Sequence, residues 1–509
     1  MITLDGNNLT IEDVARVAYQ RDKVRIAPEC IPQVKASREL VERLLEKGEV
    51  IYGITTGFGK LSDVTISSDQ VENLQENLIR SHAAGVGETF PPEIVRAIML
   101  LRANALVKGY SGIREKTVRL LVDMLNNQVH PQIYSQGSVG ASGDLVPLAH
   151  MALVMIGRGE AELAGEVLPG RIALERAGLT PVRLQAKEGL ALINGTQAMT
   201  AIAALLVNKA EHLLEHADLS ASMSLEALKG IPHAFSPLLQ EVRPHPGQKV
   251  VAENLLEYIE GSEIIYREGW GERVQDAYTL RCIPQIHGAS RDAVAYVRKV
   301  VETEINSATD NPLIFPEQGQ VISGGNFHGQ PVAMAMDYLG IALSELASVA
   351  ERRVERLVNP SLSGLAPFLA RESGLNSGYM IAQYTAASLV SENKVYSSPS
   401  SVDSIPTSAN QEDHVSMGTN AARHAWQIAA NVKNVLAIEF LCAVQGIEFH
   451  SPLQPGRKVK GAMELIRSQV PTLIRDRELQ PEIKLVASLI EEGSLLEAAG
   501  KRLAGHNLG

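Results

Sequence analysis

The chain has 509 residues, of which 45% are hydrophobic and 21% are charged, and its formal net charge is −11. This length and composition predict a globular protein with a large buried core and exclude a disordered or fibrous one. The acidic balance argues against nucleic acid or an anionic membrane as the main partner, because phosphate groups are bound by clustered cations. The three cysteines, Cys30, Cys282 and Cys442, are widely spaced and form no CxxC pair. We therefore expect a reducing compartment and no disulfide scaffold.

The first six residues lack a basic start that leads into an apolar stretch, so no signal peptide is predicted. An uninterrupted apolar run of about 18 residues, as a membrane span requires, is not found. The sequence therefore predicts a cytoplasmic protein with no membrane partner.

Residues 1–190 combine short patterns with Gly-rich turns. Within them, the spacing predicts a helix that begins at Pro91-Pro92 and ends near Gly109. Residues 160–187 predict a short strand-and-turn segment, because Gly165 and Pro169-Gly170 are turn signals.

Beyond residue 190 the sequence contains long Ala/Leu-rich segments with very few internal Pro and Gly residues. They cover residues 196–217, 290–308, 330–358 and 417–446. Apolar residues on more than one face of such helices require neighbouring helices around them. We therefore predict a mainly α fold with two parts, a smaller mixed region at 1–190 and a long-helix bundle at 191–509 that extends across subunits.

Residues 137–147, Gly-Ser-Val-Gly-Ala-Ser-Gly-Asp-Leu-Val-Pro, form the most informative segment. Its small residues allow the backbone to bend tightly. In such a bend the amide nitrogen of Gly143 would attack the carbonyl carbon of Ala141 and close a five-membered ring. Loss of water from that carbonyl and from the Ser142 side chain would leave an exocyclic methylidene. This group is an electrophile that the standard side chains do not provide.

Polar side chains are concentrated in other irregular segments. Tyr52 precedes a Gly-rich loop at 55–59, which by composition alone reads as an ordinary turn-rich loop. Asn194 precedes the first long helix, and taken alone it is predicted to be the N-cap of that helix. Phe327 lies in a second Gly-flanked loop at 324–329. Glu412 precedes the last long helix, where acidic residues suit the positive helix end.

Residues 275–281 combine an amide, a phenol and a guanidinium, contributed by Gln275, Tyr278 and Arg281. An arginine can bind a carboxylate through two parallel hydrogen bonds, and a tyrosine can transfer a proton. A surface salt bridge is the ordinary alternative for Arg281.

In this order, the segments resemble the histidine/phenylalanine/tyrosine ammonia-lyase family, and the resemblance covers essentially the whole chain. The prosthetic group of that family, 4-methylidene-imidazol-5-one (MIO), forms autocatalytically from an Ala-Ser-Gly triplet. The resemblance implies that MIO forms from Ala141-Ser142-Gly143, with no external cofactor and no metal. It also implies a helical bundle of the fumarase/aspartase-like type and a homotetramer with active sites completed by several subunits.

The resemblance further implies a role for each candidate residue. Tyr52 would be the base that removes the β-proton, and Asn194 would hydrogen-bond the MIO ring. Tyr278 would lie near the prosthetic group. The remaining positions would contact the substrate: Gln275 and Phe327, and Arg281 through the substrate carboxylate. Residues 309–313, Thr-Asp-Asn-Pro-Leu, resemble a family signature with a structural role.

Substrate choice is argued from Ser81-His82 and Glu412, which resemble the histidine-specific members of the family. A neutral imidazole both donates and accepts hydrogen bonds, so His82 and Glu412 would satisfy its two ring nitrogens. A phenyl ring would leave Glu412 buried and unsatisfied. Arg80 departs from this pattern and looks more like the phenylalanine branch. Glu412 also competes with Tyr52 for the role of base.

The implied reaction is the conversion of L-histidine to trans-urocanate and ammonia, the first step of histidine degradation. The alternatives within the family are a phenylalanine or tyrosine ammonia-lyase and an aminomutase. An MIO-free lyase of the fumarase/aspartase type and a non-enzymatic helical scaffold are the alternatives from other classes.

Two motifs resemble other sites without their context. His212-Leu213-Leu214-Glu215-His216 fits the H-x-x-E-H zinc pattern, but we expect a solvated helix face there. Residues 140–144 are not a G-x-S-x-G hydrolase elbow, because Asp144 replaces the second glycine.

Overall fold

The computed structural model describes residues 1–47, 56, 66, 70–266 and 274–501. The chain forms two compact units. Unit 1 comprises Met1–Leu205, Arg298–Asp337 and Pro399–Arg423, and unit 2 comprises Leu206–Val297, Tyr338–Ser398 and His424–Gly509. Each unit thus consists of three separate segments of the chain. The division into domains at 1–190 and 191–509 stays a prediction.

The first part of the chain alternates helices with short strands. In chain order these are β1 (Ile2–Leu4), α1 (Ile11–Gln20), β2 (Val24–Ile26), α2 (Ile31–Glu46), α3 (Val71–His82), β3 (Val86–Thr89), α4 (Pro92–Val107), α5 (Glu115–Asn126), β4 (His130–Pro131), β5 (Tyr134–Gln136), α6 (Leu145–Met155), β6 (Glu160–Leu163), β7 (Glu166–Pro169), α7 (Gly170–Arg176) and α8 (Glu188–Ile193).

Long helices dominate the remainder. They and the shorter elements between them are α9 (Gln197–Ala227), α10 (Pro237–Glu241), α11 (Pro246–Tyr258), α12 (Tyr278–Arg281), α13 (Ile283–Glu304), β8 (Leu313–Phe315), β9 (Gln320–Ile322), α14 (Gln330–Val358), α15 (Pro360–Ser363), α16 (Met380–Tyr396), α17 (Gly418–Glu448), α18 (Arg457–Gln469), α19 (Gln480–Glu491) and α20 (Ser494–Ala498).

Among the described residues the strands form small sheets of two or three strands. β1 pairs with β2 in parallel, whereas β3–β5, β4–β6–β7 and β8–β9 are antiparallel. The predicted mainly α fold is therefore confirmed. The turn at Gly165 (φ +83°) joins β6 to β7, as the turn signal indicated, but α7 follows within the segment predicted as strand and turn.

The predicted helices exist, with different bounds at several ends. The helix that follows Pro91-Pro92 ends at Val107, just before Gly109, and α14 occupies the predicted residues 330–358. In contrast, α9 continues to Ala227, well beyond residue 217. Polar side chains on the extra turns are buried with partners far away in sequence, so no local signal marks this extension.

Two helices, Gln330–Val358 and Gly418–Glu448, are apolar and long enough to cross a membrane. Most of each apolar stretch is nevertheless buried within the protein, 67% and 78% respectively. Core helices have this composition because they contact other helices on several faces.

Candidate active site

The Ala141-Ser142-Gly143 triplet lies just before α6 in unit 1, in close contact with the segment that precedes α9. Gly143 forms a backbone bridge with Gly195, and the Asp144 amide donates a 2.7 Å hydrogen bond to the Gly195 carbonyl. Gly143 has a φ of +70°, and a Cβ atom there would lie 2.2 Å from the Gly195 oxygen. Glycine is therefore required at 143 by both conformation and space.

The residues before the triplet are held by the segment that leads into α17. The Ser416 hydroxyl donates to the Gly140 carbonyl (2.9 Å), and the Met417 amide donates to the Val139 carbonyl (2.9 Å). A Cβ atom on Gly140, whose φ is +67°, would lie 2.1 Å from Ser416 Oγ. The bend around the triplet is thus held on both of its flanks.

Asp144 connects the triplet to the start of α9. Its carboxylate is fully buried and accepts hydrogen bonds from the Ser138 hydroxyl (2.9 Å), the Thr419 hydroxyl and the Met199 amide (2.7 Å). Burial raises its pKa above the usual range. Asp144 therefore satisfies a free amide of the first turn of α9 from a distant position in the sequence.

Asn194 does not cap α9, so the capping prediction for this residue is wrong. It is instead the residue after the last turn of α8, and its side-chain amide Nδ2 donates a 3.0 Å hydrogen bond to the Ser142 carbonyl. Its buried Oδ1 atom has no hydrogen-bond partner among the described residues. The side chain is thus aimed at the triplet with one acceptor still available.

Glu412 contacts the reactive side chain of the triplet. The Ser142 hydroxyl donates to Glu412 Oε1 (3.1 Å), and the Thr407 hydroxyl donates to Glu412 Oε2 (2.7 Å). Residues 408–410 between Thr407 and Glu412 all have positive φ angles although none is glycine. Such a conformation costs on the order of 1–3 kcal/mol per residue and is concentrated at functional sites.

His82 ends α3, and its protonation state follows from its neighbours. The Ser81 hydroxyl donates to the Leu78 carbonyl (3.1 Å) and lies 3.0 Å from His82 Nδ1. Because the Ser81 proton is already used, Nδ1–H of His82 is the donor in that contact. Burial lowers the pKa of His82, so the ring is neutral at pH 7 and Nε2 is a hydrogen-bond acceptor.

One cavity of about 830 Å³ in unit 1 brings most of these side chains together. The sequence-predicted residues that line it are Ala141, Ser142, Asn194, His82, Glu412 and Phe327.

Known proteins resemble this chain over nearly its whole length. Residues 9–468 match the family model described as aromatic amino acid lyase. The chain belongs to the aromatic amino acid lyase family. A histidine ammonia-lyase from Caldanaerobacter subterraneus subsp. tengcongensis is 58% identical over 97% of both chains.

Solved structures of family members have the same fold. The histidine ammonia-lyase from Trypanosoma cruzi has a TM-score of 0.91 and 42% identity, and covers 98% of this chain and 95% of its own. The tyrosine aminomutase from Streptomyces globisporus has a TM-score of 0.93 and 38% identity, with 98% of each chain covered. This chain is therefore a lyase-family enzyme, and the non-enzymatic alternative is set aside.

The other four predicted site residues of the lyase are Tyr52, Gln275, Tyr278 and Arg281. Tyr52 lies outside the described residues. Gln275, Tyr278 and Arg281 belong to unit 2, where Gln275 and Tyr278 are exposed and Arg281 lies over the Tyr278 ring at 4.5 Å. The Arg281 Nε atom donates to the Asp276 carbonyl (2.9 Å). Their part in the lyase site stays a prediction.

The cavity also contains residues that the sequence analysis did not select. His328 receives a 3.3 Å hydrogen bond from the Gln330 amide at Nδ1, which makes Nε2–H the donor to the His414 carbonyl (3.2 Å). The two imidazole rings are stacked at 5.8 Å. Asn311 in the 309–313 signature accepts a 2.7 Å hydrogen bond from the Gly324 amide, so the signature holds the loop that carries Phe327 and His328.

The H-x-x-E-H match in α9 is not a solvated helix face, and that expectation is wrong. His212 and His216 are buried, and Glu215 forms ion pairs with Arg291 and Lys501. Among the described residues, no group of three or more His, Cys, Asp or Glu side chains is arranged to hold a metal ion.

Proposed function

We propose that this lyase deaminates L-histidine to trans-urocanate and ammonia. The observation that carries the proposal is the Ser142 side chain, which shares one cavity with His82 and Glu412 and contacts Glu412 directly. Relatives with 52–58% identity over nearly the full length, all of them histidine ammonia-lyases, support the choice of substrate.

We propose that the prosthetic group is MIO formed from Ala141-Ser142-Gly143, and the residues around the triplet fit it. Gly143 lies where a Cβ atom would fill the space needed against Gly195, and the triplet bend is held on both sides. Asn194 Oδ1 has no hydrogen-bond partner among the described residues, and in this proposal it and the amide group of the same side chain would hold the ring. MIO would supply the electrophile that makes the amino group of the substrate a better leaving group.

In this proposal, His82 recognises the imidazole of the substrate. The hydrogen bond of its Nδ1 with Ser81 leaves Nε2 as an acceptor for an imidazole N–H group. A phenyl ring offers no such donor and would leave Nε2 unpaired. This is the physical basis on which histidine is favoured over phenylalanine.

Glu412 has two possible roles, to hold the other imidazole nitrogen or to act as the base. The 3.1 Å contact with Ser142 supports the second role, because the carboxylate lies beside the residue that would become the electrophile. Tyr52 remains the alternative base. By the resemblance to the family, Arg281 would bind the substrate carboxylate through its guanidinium, Gln275 and Phe327 would contact the substrate, and Tyr278 would lie near the prosthetic group.

We further propose that the lyase is a cytoplasmic homotetramer. Large apolar side chains are exposed on the long helices, among them Tyr338 and Ile341 on α14 and Ile381 and Tyr384 on α16. Exposed apolar surface of this kind is typical of subunit interfaces. The acidic chain is not expected to bind nucleic acid or membranes.

The test is an assay of the purified protein with L-histidine, L-phenylalanine and L-tyrosine, for wild type beside Ser142→Ala, together with intact mass. We expect urocanate from wild type and a mass deficit of two water molecules, and neither from Ser142→Ala, which should keep its fold. Faster release of cinnamate, or a β-amino acid as the product, would replace the substrate or reaction assignment. An unshifted wild-type mass would point to an MIO-free lyase.

A further inference from the structure

Arg102 is a fully buried cation directly behind the site. It belongs to α4, and its guanidinium donates hydrogen bonds to the Asn194 carbonyl (2.9 Å), the Gln197 side-chain oxygen (2.7 Å) and the Ala191 carbonyl. Within the described chain, these acceptors are two carbonyls and one side-chain amide oxygen, and none of them is a carboxylate. The charge is therefore directed at backbone and amide oxygens around the end of α8, where helix carbonyls lack partners.

These acceptors belong to the same short segment that holds the triplet on its other side. Asn194 accepts from Arg102 with its backbone carbonyl and donates to Ser142 with its side chain. The next residue, Gly195, accepts from the Asp144 amide and pairs with Gly143. The segment at residues 194–195 thus contacts both Arg102 and the triplet.

The contact between Arg102 and this segment leaves no free space. A Cβ atom on Gly195 would lie 2.5 Å from Arg102 Nη1 and 2.4 Å from Gln197 Oε1. Gln197 is itself fixed, because its Nε2 atom donates to the Thr309 hydroxyl (2.7 Å). A shift of the guanidinium would therefore displace residues 194 and 195 directly.

The chemistry of arginine suits this position better than that of lysine. Burial lowers the pKa of Arg102 to about 10, so the side chain still carries its charge at neutral pH. Its planar fork reaches several oxygens in fixed directions, whereas an ammonium group is a single point donor on a flexible stem. Lysine at 102 would keep the charge and lose the geometry.

We infer that Arg102 is a positioning residue for both the maturation and the turnover of the lyase. By fixing the Asn194–Gly195 peptide, it holds Gly143 in the bend that cyclises and aims the Asn194 amide at the Ser142 carbonyl. The inference rests on the proposed function, since it concerns the triplet as the precursor of MIO.

The test compares Arg102→Lys with Arg96→Lys. Arg96 is a second buried arginine on α4, which donates to the Ala18 carbonyl (2.6 Å) instead of to the site. For Arg102→Lys we expect a reduced fraction of chains that have lost two waters, with kcat per matured chain lower by at least about tenfold and KM little changed. Arg96→Lys should mature fully, even if its melting temperature falls by as much as that of Arg102→Lys.

Intact mass, near-ultraviolet absorbance and circular dichroism distinguish the outcomes. If wild type has no mass deficit, the proposed function fails. If wild type has the deficit and Arg102→Lys has it in full with wild-type kcat, the inference fails. An equal maturation defect in Arg96→Lys would also overturn it, because the effect would then be general destabilisation.

A second variant covers the case in which Arg102→Lys does not fold. Gln197→Leu removes one acceptor of the guanidinium and leaves Arg102 in place. We expect a smaller loss in the matured fraction and in kcat, in the same direction. A folded Gln197→Leu protein with the maturation and kcat of wild type would contradict the inference.

Discussion

Ser142 and Glu412 are 270 positions apart in the sequence, yet the serine hydroxyl donates a 3.1 Å hydrogen bond to the glutamate Oε1 atom. In the proposed chemistry this hydroxyl leaves as water. Its loss removes the donor to Oε1 and makes that oxygen available to the substrate. Oε2 remains fixed by the Thr407 hydroxyl, so the carboxylate stays in place for a new partner.

The first prediction is that Glu412→Gln lowers kcat strongly and KM little. An amide of the same shape cannot accept a proton, and general-base catalysis is typically worth roughly 10²–10⁴-fold. Steady-state kinetics with L-histidine measures this, and intact mass checks that the triplet still cyclises. The matched control is Glu317→Gln, the same chemical change at an exposed position between β8 and β9, which should have nearly wild-type kinetics. An increase in KM alone in Glu412→Gln would assign Glu412 to imidazole binding instead.

The second prediction concerns the pH dependence of substrate binding. Burial lowers the pKa of His82 below its ordinary value of 6.5, so Nε2 stays an acceptor through neutral pH. As the pH falls through this lowered pKa, Nε2 gains a proton and repels the imidazole N–H group. We therefore expect an additional rise in KM for L-histidine only on the acid side of 6.5.

His82→Leu isolates this effect from the titration of the substrate itself, which is common to both proteins. Loss of the acceptor leaves the imidazole N–H unpaired at a cost of about 1–3 kcal/mol, or roughly 5- to 150-fold in KM. The variant should also lack the additional rise in KM at acid pH that protonation of His82 causes in wild type. If KM against pH has the same form in both proteins, His82 does not bind the imidazole.

The sequence was sufficient to predict the mainly α fold, because period and composition are local signals. The sequence was insufficient to predict helix ends and side-chain contacts that depend on partners far away in the sequence. Asp218 and Ser224 end the apolar pattern of α9, yet they are buried against Arg291 and Glu439, so the helix continues. Asn194 has the local signature of an N-cap, but its side chain donates to Ser142.

Similarly, the group that satisfies the start of α9 is Asp144, which precedes α6. Nothing in the sequence near residue 197 indicates this carboxylate. Within the predicted site, motif order identified the cavity residues His82, Ser142 and Glu412 because the resemblance supplied their roles. It gave no role to His328, whose contacts with Gln330 and His414 depend on the tertiary fold.

The third prediction separates space from conformation at Gly143. Gly143→Ala combines a positive φ with a Cβ atom 2.2 Å from the Gly195 oxygen, whereas Gly165→Ala has a φ of +83° with nothing within 4 Å. Both variants bear the cost of a left-handed residue, about 1–2 kcal/mol. Of the two variants, only Gly143→Ala should lose the mass deficit and the turnover.

Urea unfolding and intact mass of the two alanine variants provide the comparison. Gly165→Ala should be mildly destabilised and fully matured, because its turn joins β6 to β7 and nothing lies within 4 Å of the added Cβ atom. If Gly143→Ala cyclises as wild type does, close packing against Gly195 is not needed for maturation.

The fourth prediction concerns the stability of unit 2. Glu226 is fully buried, and its carboxyl accepts hydrogen bonds from the Gly456 amide (2.8 Å) and the Ser262 hydroxyl (3.0 Å). Burial outweighs these contacts and raises its pKa to about 8 from a model-compound value of 4.5. Between these values the native state holds a proton that the unfolded chain has released.

Since the unfolded state then binds fewer protons, the free energy of unfolding falls as the pH rises from about 5 to 8. The loss from this one group is on the order of a few kcal/mol, given about 1.4 kcal/mol per pKa unit. Glu226→Gln cannot ionise, so its stability should depend less steeply on pH over this range. Glu260→Gln, at an exposed neighbouring position, should keep the wild-type slope. Urea unfolding at several pH values measures how steeply the free energy of unfolding depends on pH in each protein. Equal slopes for Glu226→Gln and wild type would mean that Glu226 is ionised in the folded protein.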